Sequence, residues 1–164
     1  MNINIIAKKG VIIDNKEILL GGSIQDMLKK FPEYDKWDDM YYFFDANLAL
    51  YVKNNIIEEI EVRNSGDDSV KVFCEGIDVF QKEKEMVLSY FERTYGDLLK
   101  KDSTDFVVEK AGIEFAFGIS EEGVKECIQE AKKDGIYEEM RETIEKDIYR
   151  SKHVETFLIR RLEK

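Results

Sequence analysis

At 164 residues and a net charge of −10, the chain fits one domain or two small units sharing a core. Ten Phe, eight Tyr and one Trp, with 43% hydrophobic residues and a single proline (Pro32), exclude a disordered chain and a proline-rich linker. No run approaches the roughly 18 apolar residues of a membrane span. The first ten residues lack a basic region followed by an apolar stretch, so a cytoplasmic protein is expected.

The charge is uneven. Residues 146–164 hold six basic and three acidic side chains, a net +3, which leaves −13 on residues 1–145. Such a body repels phosphate backbones, so no nucleic-acid partner and no membrane are expected. It would draw in a basic protein instead. Cys74 and Cys127 read as small core residues, and one histidine, His153, cannot build a zinc site, so no metal and no cofactor are expected.

In chain order, Ile3–Ile6, Val11–Ile13 and Ile18–Leu20 read as strands separated by turn residues. Ser23 is an N-cap for a helix carrying Ile24, Met27, Leu28 and Phe31 on one face, and Pro32 stops it. A polar connector with Trp37 and Asp38-Asp39 leads to strands at 41–44, 48–52 and 56–62, a meander with one wet face. A loop at 64–69 precedes a strand at 70–80. A second helix is expected at 83–95, with Met86, Val87, Tyr90 and Phe91 on one face and Gly96 at its end. Strands at 106–109, 113–117 and 124–130 follow. Ile136, Met140, Ile144 and Ile148 recur at steps of four, predicting a helix from about 136; His153–Leu162 fits either a continued helix or a final strand.

The order helix, three strands, helix, three strands predicts an α+β protein of two tandem helix-plus-three-strand antiparallel units sharing a core. Repeat 1 spans about 10–69 and repeat 2 about 70–133, with a C-terminal helical segment at 134–164, all within one domain. Aligned without gaps inside elements, residues 27–31 lie over 87–91, 45–52 over 110–117, and 56–60 over 124–128. Leu48, Leu50 and Val52 then match Ile113, Phe115 and Phe117, which assigns these six to the core.

No phosphate-cradling, metalloprotease or nucleophile-elbow motif occurs, so no catalytic residue is assigned. His153 stands among Arg150 and Lys152, surroundings better suited to a solvated residue than a general base. The doublets Asp38-Asp39, Asp67-Asp68 and Glu121-Glu122 leave open a metal-dependent hydrolase, although none has calcium-loop spacing. The leftover face of the first meander carries Tyr42, Phe44, Tyr51 and Ile57 beside Glu59 and Glu61. An aromatic, acid-rimmed face of this kind suits a protein interface; the alternative is that the C-terminal helix covers it.

The doubled unit over about 10–130 resembles the tandem repeats of β-lactamase inhibitor proteins and of related outer-membrane assembly lipoproteins, without their secretion signal or lipid-anchor cysteine. Gly10-Val11-Ile12-Ile13-Asp14-Asn15-Lys16-Glu17-Ile18 followed by Ser23-Ile24, and Phe73-Cys74-Glu75-Gly76-Ile77-Asp78-Val79, are similar to immunity proteins of bacterial contact-dependent and polymorphic toxin systems. That resemblance implies a non-enzymatic cytoplasmic immunity protein, monomer or homodimer, that binds and neutralises a toxin domain. Tyr42, Phe44, Tyr51, Glu59 and Glu61 are the expected contact patch, with Asp38, Asp39, Asp67 and Asp68 as a steering rim. A homodimeric structural or adaptor protein is the other non-enzymatic reading.

Overall fold

The structure, a computed structural model, describes residues 1–66 and 69–162. Its first sheet is built from β1 (Asn2–Ile6), β2 (Gly10–Ile13), β3 (Lys16–Leu19), β8 (Lys71–Cys74) and β9 (Ile77–Asp78), in the order β3-β2-β1-β8-β9. β8 runs parallel to β1 while the other pairs are antiparallel. The second sheet has eight strands. They are β4 (Asp35–Trp37), β5 (Met40–Phe43), β6 (Leu48–Lys53), β7 (Ile56–Arg63), β10 (Leu98–Lys100), β11 (Asp105–Val108), β12 (Ile113–Phe117) and β13 (Val154–Arg160). Their order is β10-β11-β12-β13-β7-β6-β5-β4, antiparallel throughout. Four helices complete the fold: α1 (Ile24–Lys30), α2 (Lys84–Tyr95), α3 (Glu121–Lys133) and α4 (Tyr137–Lys152).

Local chemistry explains most of these elements. Asp14-Asn15, Asn54-Asn55 and Glu75-Gly76 have positive φ at both central positions, as two-residue hairpin turns that match strand twist require. Ser23 caps α1 by accepting from the Gln25 amide, and Gly96 ends α2 in the left-handed conformation. The start of α1 is tied to the β6–β7 hairpin, since Gly21 donates to Ile57 O at 2.8 Å and Ile57 donates back to Gly22 O at 3.0 Å.

One apolar cluster joins the first sheet, α1, α2 and the inner face of the second sheet. Leu48, Leu50, Val52, Ile113, Phe115 and Phe117 are all buried in it. At its centre Phe115 packs against Phe91 (5.0 Å between centroids), Phe106 (5.7 Å) and Phe157 (6.2 Å), and Phe91 and Phe157 also meet at 6.0 Å.

The tandem helix-plus-three-strand expectation is overturned. The molecule is dominated by strands in two sheets, five and eight strands wide. Residues 124–130 form part of α3, because Val124, Cys127, Ile128 and Ala131 have helical spacing and Ser120 caps the helix through the Gly123 amide. Matching 56–60 onto 124–128 imposed a strand there against that spacing. Residues 70–80 split into β8 and β9 at the Glu75-Gly76 turn and join the first sheet. The segment assigned as helical from 134 carries α4 and then β13, which lies between β7 and β12. Met86 is 54% exposed; Val87 and Phe91 are the buried residues of α2.

Phe157→Ala removes a fully buried ring packed on Phe91 and Phe115, so it should cost about 3–5 kcal/mol of unfolding free energy. Urea denaturation measures this, and a loss under about 1 kcal/mol would show that β13 does not hold the core.

Candidate protein-binding face

The outer face of the eight-stranded sheet is built row by row by strand register. One row reads Trp37, Met40, Tyr51, Glu59, Arg160 from β4 to β13. The next reads Asp35, Tyr42, Ala49, Glu61, Leu158, Glu114. Tyr42, Tyr51, Glu59 and Glu61 thus share one face, and all four are half-buried. Ala49 is fully buried between its register partners Tyr42 and Glu61.

Two expected members lie elsewhere. Ile57 is buried because β7 carries a bulge: Tyr51 pairs with Glu59 but Val52 pairs with Ile57, leaving Glu58 as the extra residue. The bulge shifts the phase by one and turns Ile57 to the core. Phe44 lies past the end of β5 with φ 54°, its ring edge-on to Phe31 at 5.4 Å and 37% exposed. Asp38 and Asp39 form the β4–β5 turn beside Trp37 and Met40. Asp67 and Asp68 lie outside the described residues.

Sequence reasoning missed the strand that completes the face. β4 is fully exposed, and its Trp37 is 79% exposed, the most exposed large apolar side chain among the described residues. The available signal was Trp37-Asp38-Asp39-Met40, two apolar residues flanking a two-residue turn. Beside β4 a depression of about 670 Å³ is lined by Phe31, Tyr34, Asp35, Tyr42, Phe44 and Asp45, among others. Tyr34 is 44% exposed there, with its ring against Tyr41 and Phe43.

The charges are sorted along the sheet. Toward β12 and β13 they neutralise one another: Arg63 pairs with Glu61 at 2.5 Å, Lys101 with Glu114 at 2.8 Å, and Arg160 with Glu114. Arg63 also lies 5.9 Å from the Tyr42 ring centroid. Toward β4 the acids stand alone. Residues 33–45 hold five acids and one lysine, and none of Glu33, Asp35, Asp38, Asp39 or Asp45 makes an ion pair with a described residue. Lys36 lies over the Tyr41 ring at 5.0 Å.

α4 packs chiefly on α3 and meets the sheet at β12 and β13, not at the β4–β6 end that carries Trp37, Tyr42 and Tyr51; Ile144 is buried while Ile136 stays 38% exposed.

A second concavity, about 530 Å³, lies between Asn64–Gly66 and the last turns of α4. His153 stacks on Tyr149 at 4.0 Å, with Nδ1 3.0 Å from Tyr149 O. Arg150 pairs with Asp147 and Glu155, and Lys146 with Glu142. Ser151, the nearest serine along the chain, is buried and donates to Ile148 O at 2.8 Å, which leaves it no hydrogen to share with the imidazole. Among the described residues no three His, Cys, Asp or Glu side chains are placed to hold a metal ion. No described helix is long and apolar enough to cross a membrane.

Comparisons with protein-family models, curated proteins and solved structures find no match to this chain.

Cys74 of β8 and Tyr95 of α2 both adjoin Glu75. Burial, and then the nearby Glu75 carboxylate, push the Cys74 thiol up to about 12. Burial also raises Tyr95, which donates to Glu75 Oε1 at 3.0 Å. Only the thiolate attacks disulfide reagents. In native protein at pH 8, a thiol-titrating disulfide should therefore modify half-buried Cys127 well before Cys74, with the second thiol appearing on denaturation. Equal rates for both thiols would contradict the burial of Cys74.

Proposed function

We propose that this chain is a non-enzymatic protein-binding module, and within that class a cytoplasmic immunity protein that covers a basic toxin domain. The observation carrying this reading is the combination on one face of Trp37, Met40, Tyr42 and Tyr51 with the unpaired acids Asp35, Asp38 and Asp39. Aromatic rings give large, rigid contact area at low entropic cost and form the energetic centres of interfaces. Unpaired acids around them speed the approach of a cationic partner and discriminate against acidic ones. The similarity of residues 10–24 and 73–79 to toxin-immunity proteins supports the particular role.

The test is neutralisation. A toxin domain encoded beside this chain is expressed in cytoplasm with and without it. Restored growth and co-elution of the pair support immunity; growth arrest despite a folded, abundant chain rules it out. Tyr51→Ser combined with Glu59→Lys should weaken the complex about 10- to 100-fold, each factor of ten being about 1.4 kcal/mol. Isothermal titration measures the affinity, and an unchanged melting temperature confirms that the substituted residues were surface contacts. An unfolded double variant would make them structural.

A further inference from the structure

We propose that the free edge of β4 receives an extended segment of the partner, and that this segment carries Lys or Arg at alternate positions. The inference rests on the protein-binding reading and names where the partner sits and what chemistry it brings. β4 ends the eight-stranded sheet and has a strand on one side only, so its other side is open to main-chain pairing. β4 is short and carries Asp35 and Lys36, as protected natural edges do, yet it leaves the indole of Trp37 in water. The same strand sets Asp35 beside Trp37 on the outer face, and Asp38 and Asp39 cap its end.

An incoming strand alternates its side chains in the same way. Residues on its outer side would meet Asp35 and the Trp37 ring, and cations there gain both ion pairing and attraction to the indole face. The depression past the start of β4 is lined by Lys16 and Lys30 as well as Asp35 and Asp45, so the cations of the segment are placed at Asp35, Asp38 and Asp39 rather than there. Charge selects the occupant. Five acids against one lysine in residues 33–45 disfavour an acidic or neutral strand, and a second β4 from another copy would bring the same acids face to face.

Trp37 is the chain's single tryptophan, so its emission reports on this edge alone. The probes are two synthetic octapeptides, alternating Lys-Val and alternating Glu-Val. The Lys-Val peptide should shift Trp37 emission to the blue and saturate, weaken as salt rises from 50 to 500 mM as expected for screened charges, and protect the Lys36 amide, the one of β4 directed away from β5, from hydrogen exchange. The Glu-Val peptide should do neither. Replacing Asp35, Asp38 and Asp39 together by Asn keeps Trp37 as reporter and suits the left-handed φ of 55° at residue 38; it should weaken Lys-Val binding at least tenfold. No shift with Lys-Val, an equal shift with Glu-Val, or an emission change that follows protein concentration without peptide would each overturn the proposal, the last in favour of a second copy. A toxin partner that binds Trp37→Ala and the parent chain equally would also overturn it, while leaving the protein-binding reading in place. Failure of every protein to bind would remove that reading itself.

Discussion

The structure depends on β13 lying between β7 and β12. This strand comes from the last residues of the described chain, yet it forms the middle of the eight-stranded sheet, pairing with β12 on one side and β7 on the other. Without it, β7 and β12 would both be open edges and the sheet would fall into two separate ribbons. Its side chains are as consequential as its hydrogen bonds. Phe157 completes the ring stack with Phe91 and Phe115, and Ile159 and Val154 are fully buried. The fit is tight where β13 ends: Arg160 donates to Gly112 O at 2.8 Å, and a Cβ on Gly112 would sit 2.6 Å from Arg160 O. Glycine at φ 64° satisfies both that contact and the turn into β12.

Joining the two ribbons also decides how charge is distributed on the outer face. β13 brings Arg160 alongside Glu114 and opposite Glu59, so the centre of the sheet becomes a set of mutually neutralising pairs. Such exposed pairs contribute little to stability, typically about 0–1 kcal/mol each. Their consequence is spatial. With the centre neutralised, the uncompensated negative charge of the face is concentrated at the β4 end, beside the exposed indole.

Much of the architecture was legible in local pattern. Ser23, Pro32 and Gly96 punctuate α1 and α2 correctly, and alternation identifies β5, β6 and β12 with the right faces inward. Failures occur where a residue is inserted or a segment is short. Glu58 interrupts the alternation of β7 and buries Ile57. A second irregularity between Ala116 and Phe117 makes Val154 and Thr156 the partners of neighbouring residues, with Glu155 extra, so β13 reads as neither clean strand nor helix. β4 and β10 span three residues each, too few for a period to show.

The sequence by itself determined the Asp14-Asn15 and Asn54-Asn55 turns, the Ser23 and Gly96 caps, the inward faces of β5, β6 and β12 and the acidic character of residues 33–45. These are properties of residues a few positions apart, set by φ preferences and side-chain alternation. Tertiary structure alone decided that β8 leaves the second sheet for the first, that α3 and α4 form a helical excursion between adjacent strands, and that β13 fills the centre. Each is a choice among partners far apart in the chain, made by which apolar faces can close on one another with their backbone groups paired, and no local spacing encodes it.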